Sequence, residues 1–562
     1  MRFSDWPAPP SGVDSPRKSS WSDTTATRIV SHRCESFDNS NQDGPFRSPP
    51  IFATRIQSFQ AMAWPNPFYK RTPNTRTCWS YTFELTDEHL TPEQAYPLKY
   101  SYDTLAEECL NILNEISPPS QSDTSKFPGK STPSQATDKK QESAEDIVPT
   151  KQSKPKRDLF LLLRDNRHNH AKLQELWDQV HTIPPWVDWE QISRGQDVFY
   201  RYGGATLTGL AYQSLLGGMG ANRVVEVLAR TGGFGVKVAR HRLFETTQHI
   251  LSCTKSLSAI QPGGEGFSSS IKVRLLHASV RQRILKLASS RPDYYSVEKF
   301  GIPINDLDSI GTIGTFSTTI VYHALPRQGI FPTSAEITDY IALWRLIAYY
   351  MGTPTEHFTT PSRAKAMMES LLMHEINPSQ LSATLANNVI RCLENQPPAY
   401  ASRSFLEANA RWLNGDQICD ALHLGRPAPY YTCLVAGQCI FFMALTYFYR
   451  LFPSLDRQKI EALKKAFWQV IVESKYGLKG EETVFEFTHI PQFDTVTYIG
   501  GEEEVFKGHR EVEARNLRAL VLGVLGVAGS GYVGWKVCGW AARGIGLLGR
   551  FAWAGVQSFG AA

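Results

Sequence analysis

The stretch ARHRLFETTQHI, residues 239–250, brings together several side chains that can bind a polar ligand. It contains no Pro or Gly, so it is free to be helical. At about 3.6 residues per turn, Arg242, Thr246 and His249 fall roughly on one helix face. That face either lines a functional site or is an ordinary solvated surface, which is the usual fate of a charge cluster.

An adjoining stripe of the same helix carries His241, Glu245 and His249, a set of residue types that binds iron or zinc. Spacings of four residues rotate by about 40° per step, so the outer two side chains diverge. A carboxylate-bridged di-iron bundle would also need paired Glu-x-x-His motifs, and the sequence has none. These features argue against a metal site built on this stripe.

A second candidate is His277, within VRLLHASVR. Its imidazole is set among aliphatic neighbours such as Leu276 and Val280, which is the environment that a haem ligand in a dry pocket requires. Arg274 lies one turn before it and Arg281 one turn after, and a guanidinium there can pair with a haem propionate. The alternative is a core histidine between two surface arginines.

A third candidate is Glu226, within VVEVLAR, a carboxylate between aliphatic residues. A buried and unpaired carboxylate binds its proton more tightly and becomes a plausible general base, whereas a paired one is structural. The sequence leaves both interpretations open.

Composition excludes several classes of protein. The chain has 562 residues, and 59 basic against 54 acidic side chains give a net charge of only +5. No dense Lys/Arg run is present, so we expect no nucleic-acid partner. The nine cysteines form no C-x-x-C pair, which argues against a zinc ribbon and against obligatory disulfides. H-E-x-x-H and G-x-S-x-G motifs are also missing.

The pattern along the chain predicts three regions. Residues 1–157 are rich in Ser, Pro and charge and are predicted to be largely disordered, with a candidate ordered island at 78–116. Residues 158–510 are predicted to form a globular domain that is mainly α, because apolar residues recur at helical spacing and few segments alternate. One such stripe comprises Val273, Leu276, Val280, Ile284 and Leu287. Residues 511–562 form a separate tail.

The tail is predicted to associate with a membrane. Ala519–Trp535 is uncharged and apolar, just short of the ~20 residues that span a bilayer. Beyond it Lys536, Arg543 and Arg550 share a helix face beside Trp, Leu and Phe, as in helices at a lipid interface. The alternative is a helix that docks on the globular domain. A second run, Pro427–Tyr449, fits a spanning helix and a buried core helix about equally well.

The order of the candidates carries a family resemblance: Glu226, then R-x-x-x-T at 242–246, then R-x-x-H at 274–277. Together with PPWVDWEQISRGQDVFYR, LLGGMG, RTGGFG and GIPINDLDSIGTIGTFS, this order resembles the catalytic domain shared by rubber oxygenases (latex clearing proteins) and endoplasmic-reticulum-bound oxygenases that cleave prenyl side chains. The resemblance extends over roughly residues 185–355.

The resemblance implies an all-α, globin-like core around haem b. It implies that His277 is the proximal iron ligand, with Arg274 orienting it and Arg281 pairing with a propionate. Arg242 and Thr246 would lie on the distal side, and Glu226 would take an allylic proton from the substrate. One position departs from the family: rubber oxygenases have a Lys, able to close the iron site, where this chain has Glu245.

The function implied is therefore a membrane-associated, haem-b-dependent oxygenase that uses O2 to cleave a carbon–carbon double bond in a hydrophobic, isoprenoid-like substrate. The expected location is an intracellular membrane, with the endoplasmic reticulum as the candidate organelle and the tail as anchor. A non-catalytic haem-binding sensor or scaffold of the same fold is the alternative, because it would keep His277 without needing Glu226. A haem-free, membrane-anchored interaction protein is the third hypothesis.

Overall fold

The computed structural model describes residues 71–119, 157–485 and 510–559. Within these ranges almost every element is helical, which confirms the prediction of a mainly α protein. The exception is a hairpin of two short strands, β1 (Thr75–Cys78) and β2 (Tyr81–Glu84), paired antiparallel with Thr75 opposite Glu84. The predicted disorder before residue 71 and the linker at 120–156 lie outside the described residues, and the domain boundaries remain predictions.

Most helices of the first half are short, and three are 19 residues or longer. In chain order the α-helices are α1 (Pro92–Ala95), α2 (Thr104–Ile116), α3 (Leu159–Asn166), α4 (Ala171–His181), α5 (Trp189–Thr208), α6 (Asn222–Arg230), α7 (Val236–Thr254), α8 (Leu257–Ile260) and α9 (Glu265–Ser290). A π-helical segment, Gly209–Gly217, follows α5. Single turns of 3-10 helix occupy Pro97–Lys99 and Arg167–Asn169.

The second half continues the helical pattern to the end of the chain. Its α-helices are α10 (Val297–Phe300), α11 (Asp306–Phe316), α12 (Leu325–Arg327), α13 (Ser334–Tyr350), α14 (Pro361–His374), α15 (Gln380–Leu393), α16 (Arg403–Asn414), α17 (Asp416–Ala421), α18 (Pro429–Arg450), α19 (Pro453–Trp468) and α20 (Glu511–Phe559). Two more π-helical segments are Ile320–Ala324 and Gln469–Glu473. Turns of 3-10 helix occupy Pro292–Tyr294 and Glu356–Phe358.

Helix α9 lies among α2, α3, α7 and α13 and buries one side of its length. The predicted apolar stripe is confirmed, because Val273, Leu276, Val280 and Ile284 are buried and Leu287 is partly buried. Gly266 lets α9 begin directly against the end of α7, since a Cβ at this position would lie 2.7 Å from the Cα of Cys253. Helices α7 and α9 are the two that carry most of the predicted site residues.

Two apolar helices differ in their packing. By length and composition, Pro429–Arg450 and the segment Glu511–Ala541 of α20 could each cross a bilayer, although a core helix passes the same test. The apolar window is 39% buried in α18 and 0% buried in α20. Helix α20 packs on α18 through its first turns, where Asn516 is fully buried, and side chains from Val524 to Ala541 are exposed. The side chains of Arg543 and Arg550 lie outside the described residues.

The cysteines depart from expectation at one position. Cys109, Cys253 and Cys419 are buried thiols that form no disulfide. Cys78, at the end of β1, is disulfide-bonded. The spacing of the cysteines did not predict this bond.

Candidate active site

A cavity of about 630 Å³ lies between the π-helical segment 209–217 and helices α6, α7, α9, α11 and α14. Its wall is mostly aliphatic and aromatic, with few polar side chains. A volume in this range and an apolar lining are typical of sites for small hydrophobic ligands. The cavity brings together residues from two of the three sequence candidates.

His277 forms part of the cavity wall. Its imidazole makes no hydrogen bond within the described ranges of the chain. Burial, reinforced by the positive charge of Arg281, lowers the pKa of His277 to about 4. The ring is therefore neutral at pH 7 and keeps a free nitrogen lone pair, which is the state in which histidine binds a metal.

Arg242 and Thr246, one turn apart on α7, also line the cavity. Burial lowers the pKa of Arg242, and the nearest carboxylate, Glu245, is 4.0 Å from its Nε atom. Glu245 also lines the cavity, where its Oε1 accepts a hydrogen bond from Thr483 at 2.9 Å. His241 is exposed and does not line the cavity.

The side chains of the stripe on α7 that carries His241, Glu245 and His249 do not converge. His241 Nε2 lies 3.6 Å from Glu245 Oε1, but His249 Nδ1 instead shares a hydrogen bond with Ser269 Oγ at 2.8 Å. No cluster of three His, Cys, Asp or Glu side chains suited to a metal occurs within residues 71–119, 157–485 and 510–559. His249 does line the cavity, next to the wall formed by His277.

Arg274 and Arg281 do not line the cavity. Arg274 binds Asp103, just before α2, with both its Nε and its Nη2 atoms, the latter at 2.9 Å from Oδ1. Arg281 donates from Nη2 to the carbonyl oxygen of Ile304 at 2.9 Å and lies over the ring of Tyr102. Their contacts attach α9 to α2 and to the loop before α11, so the predicted roles in ligand orientation and propionate binding have no supporting contact.

Glu226 is paired rather than free, because its carboxylate accepts a hydrogen bond from Arg230, one turn later on α6. The neighbours Val224 and Leu228 line the cavity, while Glu226, two residues from each, lies on the other side of the helix. Of the two interpretations left open by the sequence, this arrangement matches the structural carboxylate. The base role remains a prediction.

Other polar residues of the cavity wall were not among the sequence candidates. Arg223 binds Asp308 at 2.8 Å and Glu375 at 2.7 Å, and burial raises the pKa of Asp308 to about 6 against the opposing effect of Arg223. His323 and Gln213 lie in the wall within π-helical segments. Sequence periodicity gives no signal for π-helix, so neither residue could be placed beforehand.

Comparison with known proteins identifies the domain that contains this cavity. Residues 200–451 match the family model described as "ER-bound oxygenase mpaB/B'/Rubber oxygenase, catalytic domain". These residues match the catalytic domain of that family. The rubber oxygenase-like domain includes every candidate from Glu226 to Arg281, and the family predicted from their order is confirmed.

A solved structure described as latex clearing protein LCP in the closed state is similar to this chain. The similarity has a TM-score of 0.42 and 19% sequence identity, and it covers 53% of this chain and 79% of the other. No curated protein matches the chain.

Proposed function

We propose that the chain is a membrane-associated, haem-b-dependent oxygenase that uses O2 to cleave a carbon–carbon double bond in a hydrophobic, isoprenoid-like substrate. The observation that carries the proposal is His277, a neutral imidazole without a hydrogen-bond partner among the described residues, in the wall of a large apolar cavity. The match to an oxygenase family over residues 200–451 supports the reaction class.

The donor set fits a haem. His277 would hold the iron through its ring nitrogen, and when bound the haem would supply the binding and activation of O2. Arg242 and Thr246 would donate hydrogen bonds to polar groups on the α7 side of the cavity. The apolar wall would bind the hydrocarbon chain and exclude water. Arg274 enters the proposal as a positioning residue, since its bonds to Asp103 fix α9 and hence His277.

The first experiment compares the ultraviolet–visible spectra of detergent-purified wild type and His277→Ala, with haem quantified as the pyridine haemochrome. We expect a Soret band at about one haem per chain that is lost in the variant. His249→Ala is the matched control, because His249 lines the same cavity but shares a hydrogen bond with Ser269. Wild type that takes up no haem even on reconstitution would favour the haem-free interaction protein.

Glu226 is proposed as the general base, which requires both its release from Arg230 and its movement from the far side of α6 to the cavity. Under this proposal Glu226→Gln removes the base, so product formation from an isoprenoid alkene under O2 should stop while the haem spectrum stays the same. Arg230→Gln is the control, because it frees the carboxylate without removing it. Unchanged product in Glu226→Gln would end the base assignment.

The pairing of Glu226 with Arg230 favours a second candidate function, a haem-binding sensor or scaffold without turnover. This candidate keeps His277 and the haem but needs no base at position 226. Stoichiometric haem together with no product from any alkene tested would support it over the oxygenase.

Membrane association is proposed through α20, whose side chains from Val524 to Ala541 are exposed and largely apolar. About 18 residues at about 1.5 Å per residue span most of a hydrocarbon core of about 30 Å. In liposome flotation we expect the full chain to float and a chain ending at residue 510 to stay in solution. Val527→Arg should weaken flotation, whereas Val470→Arg, an exposed position outside α20, should not. An intracellular membrane, with the endoplasmic reticulum as candidate, is the proposed location.

A further inference from the structure

Two π-helical segments, Gly209–Gly217 and Ile320–Ala324, meet where they border the cavity. Gly209 allows the approach, because a Cβ there would lie 2.7 Å from the Cβ of Ala324. π-Helical turns are rare and concentrate at functional sites, where they redirect side chains that an α-helix would point elsewhere. The polar side chains of these two segments are therefore candidates to bind a ligand in the cavity.

Each of these segments contributes one buried polar side chain to the cavity wall. Gln213 is 5% exposed and His323 is 7% exposed. Within the part of the chain that the structure describes, Gln213 Oε1 and His323 Nε2 have no hydrogen-bond partner. Leaving such atoms unpaired destabilises a fold, and native proteins rarely do so without a ligand or an ordered water to satisfy them.

The neighbours of both side chains fix which atoms are free. Gln213 Nε2 donates to the carbonyl oxygen of Leu413 at 3.0 Å, so its Oε1 is the atom left over. The ring of His323 packs against that of Tyr81, with centroids 4.7 Å apart, but the Tyr81 hydroxyl donates to Glu369 at 3.0 Å. Among the described residues, no side chain therefore bonds to Gln213 Oε1 or to His323 Nε2.

The two free atoms define the chemistry of their partner. Burial, with the charge of Arg327 added, lowers the pKa of His323 well below its usual range, so the ring is neutral and can donate one N–H. Gln213 Oε1 can only accept. A group that accepts from His323 and donates to Gln213 satisfies both, and a hydroxyl does this. A ketone has no proton for Gln213, and a carboxylate would repel its oxygen.

We infer that the cavity binds a substrate with a hydroxyl group, such as an isoprenoid alcohol, and that Gln213 and His323 hold this hydroxyl. The inference rests on the proposed function and specifies its substrate class. His277 lies on α9 and His323 on the π-helical segment Ile320–Ala324, so the two histidines enter the cavity wall from different elements. A hydroxyl fixed near His323 would determine which double bond reaches His277.

The test uses the full chain in detergent and two probes with the same carbon skeleton, farnesol and farnesene, with dissociation constants measured by equilibrium dialysis. The quantity compared is the ratio of the farnesene constant to the farnesol constant. We expect Gln213→Leu and His323→Phe each to lower this ratio about tenfold, since each removes one buried hydrogen bond, and to leave farnesene binding unchanged. His323→Phe keeps the ring that packs on Tyr81.

Thr312→Val is the matched control, because Thr312 also lines the cavity but its hydroxyl already donates to the carbonyl oxygen of Asp308 at 2.8 Å. Its ratio should equal that of wild type. If His323→Phe does not fold, as judged by circular dichroism, Gln213→Leu alone decides. A ratio that is the same in wild type and in the folded variants would overturn the inference and assign the two atoms to bound water.

Haem content measured on the same samples separates this inference from the proposed function. Stoichiometric haem with an unchanged ratio would overturn the hydroxyl site and leave the oxygenase proposal standing. A lowered ratio in preparations that take up no haem would support the hydroxyl site and contradict the oxygenase.

Discussion

Two neighbouring sides of α9 have different tasks, although their residues lie within one short stretch of the chain. Arg274 and Arg281 point to α2 and the loop before α11, where Asp103 and two backbone carbonyls hold them. His277, rotated by roughly 60° from Arg274 at 100° per residue, lines the cavity without a hydrogen bond. Proximity in sequence to a candidate ligand is therefore a weak guide to function, because a small rotation separates the structural side from the cavity side.

The largest loss of stability should come from a change on the side of α9 that carries Arg274 and Arg281. In Arg274→Leu the carboxylate of Asp103 loses a buried partner, since Arg274 is only 3% exposed, and we expect a loss of about 3–5 kcal/mol in the free energy of unfolding. Urea titration followed by circular dichroism measures it. The double variant with Asp103→Leu should recover part of the loss. A loss under about 1 kcal/mol would show that the pair does not hold α9.

Acid should lower the stability of the fold through the histidines that line the cavity. In the haem-free chain, burial lowers the pKa of His249 and of His277 to about 4, whereas both have values near 6.5 when unfolded. The unfolded chain therefore binds protons first, and the free energy of unfolding should be fully present above pH 6.5 and fall by a few kcal/mol towards pH 4. Urea titrations across this range measure the slope. His249→Leu should flatten it, but replacement of the exposed His241 by Asn should not.

Removal of His277 itself should cost much less than removal of Arg274. His277 borders a space that already exists, so His277→Ala enlarges the cavity without breaking a hydrogen bond, and we expect a loss of about 1 kcal/mol. The fully buried neighbour Leu275 provides the contrast, with about 2–5 kcal/mol expected for Leu275→Ala. Equal losses in the two variants would mean that the cavity side is as tightly packed as the core.

The smallest loss of stability is expected at an Arg–Asp ion pair that has the same two-donor geometry but is exposed to solvent. Arg194 on α5 binds Asp339 with two donors, at 2.8 and 3.2 Å, as Arg274 binds Asp103, but its side chain is 55% exposed. Water screens this pair, so Arg194→Leu should cost about 0.2–1 kcal/mol by urea titration. A loss as large as that of Arg274→Leu would show that geometry, and not burial, sets the strength of these pairs.

Spacing predicted the helices and the shared face of Arg242 and Thr246. That His277, Arg242 and Thr246 border one pocket was implied by the family resemblance, and all three line the cavity. It could not place Arg274, whose partner Asp103 lies 171 residues away in the chain. The pairing of Glu226 with Arg230 did leave a signal, since opposite charges four residues apart in a helix attract each other. The aliphatic neighbours of Glu226 pointed instead to a buried, unpaired carboxylate.

The π-helical segment 209–217 makes the length of this helix adjustable by single residues. A π-turn closes its hydrogen bonds over five residues instead of four, so it accommodates a residue that an α-helix would have to expel. Loss of one residue here can be absorbed as a return to α-helix, so the side chains after the segment keep their directions. The number of residues in this segment can then change by one while the later side chains of the cavity wall stay in place.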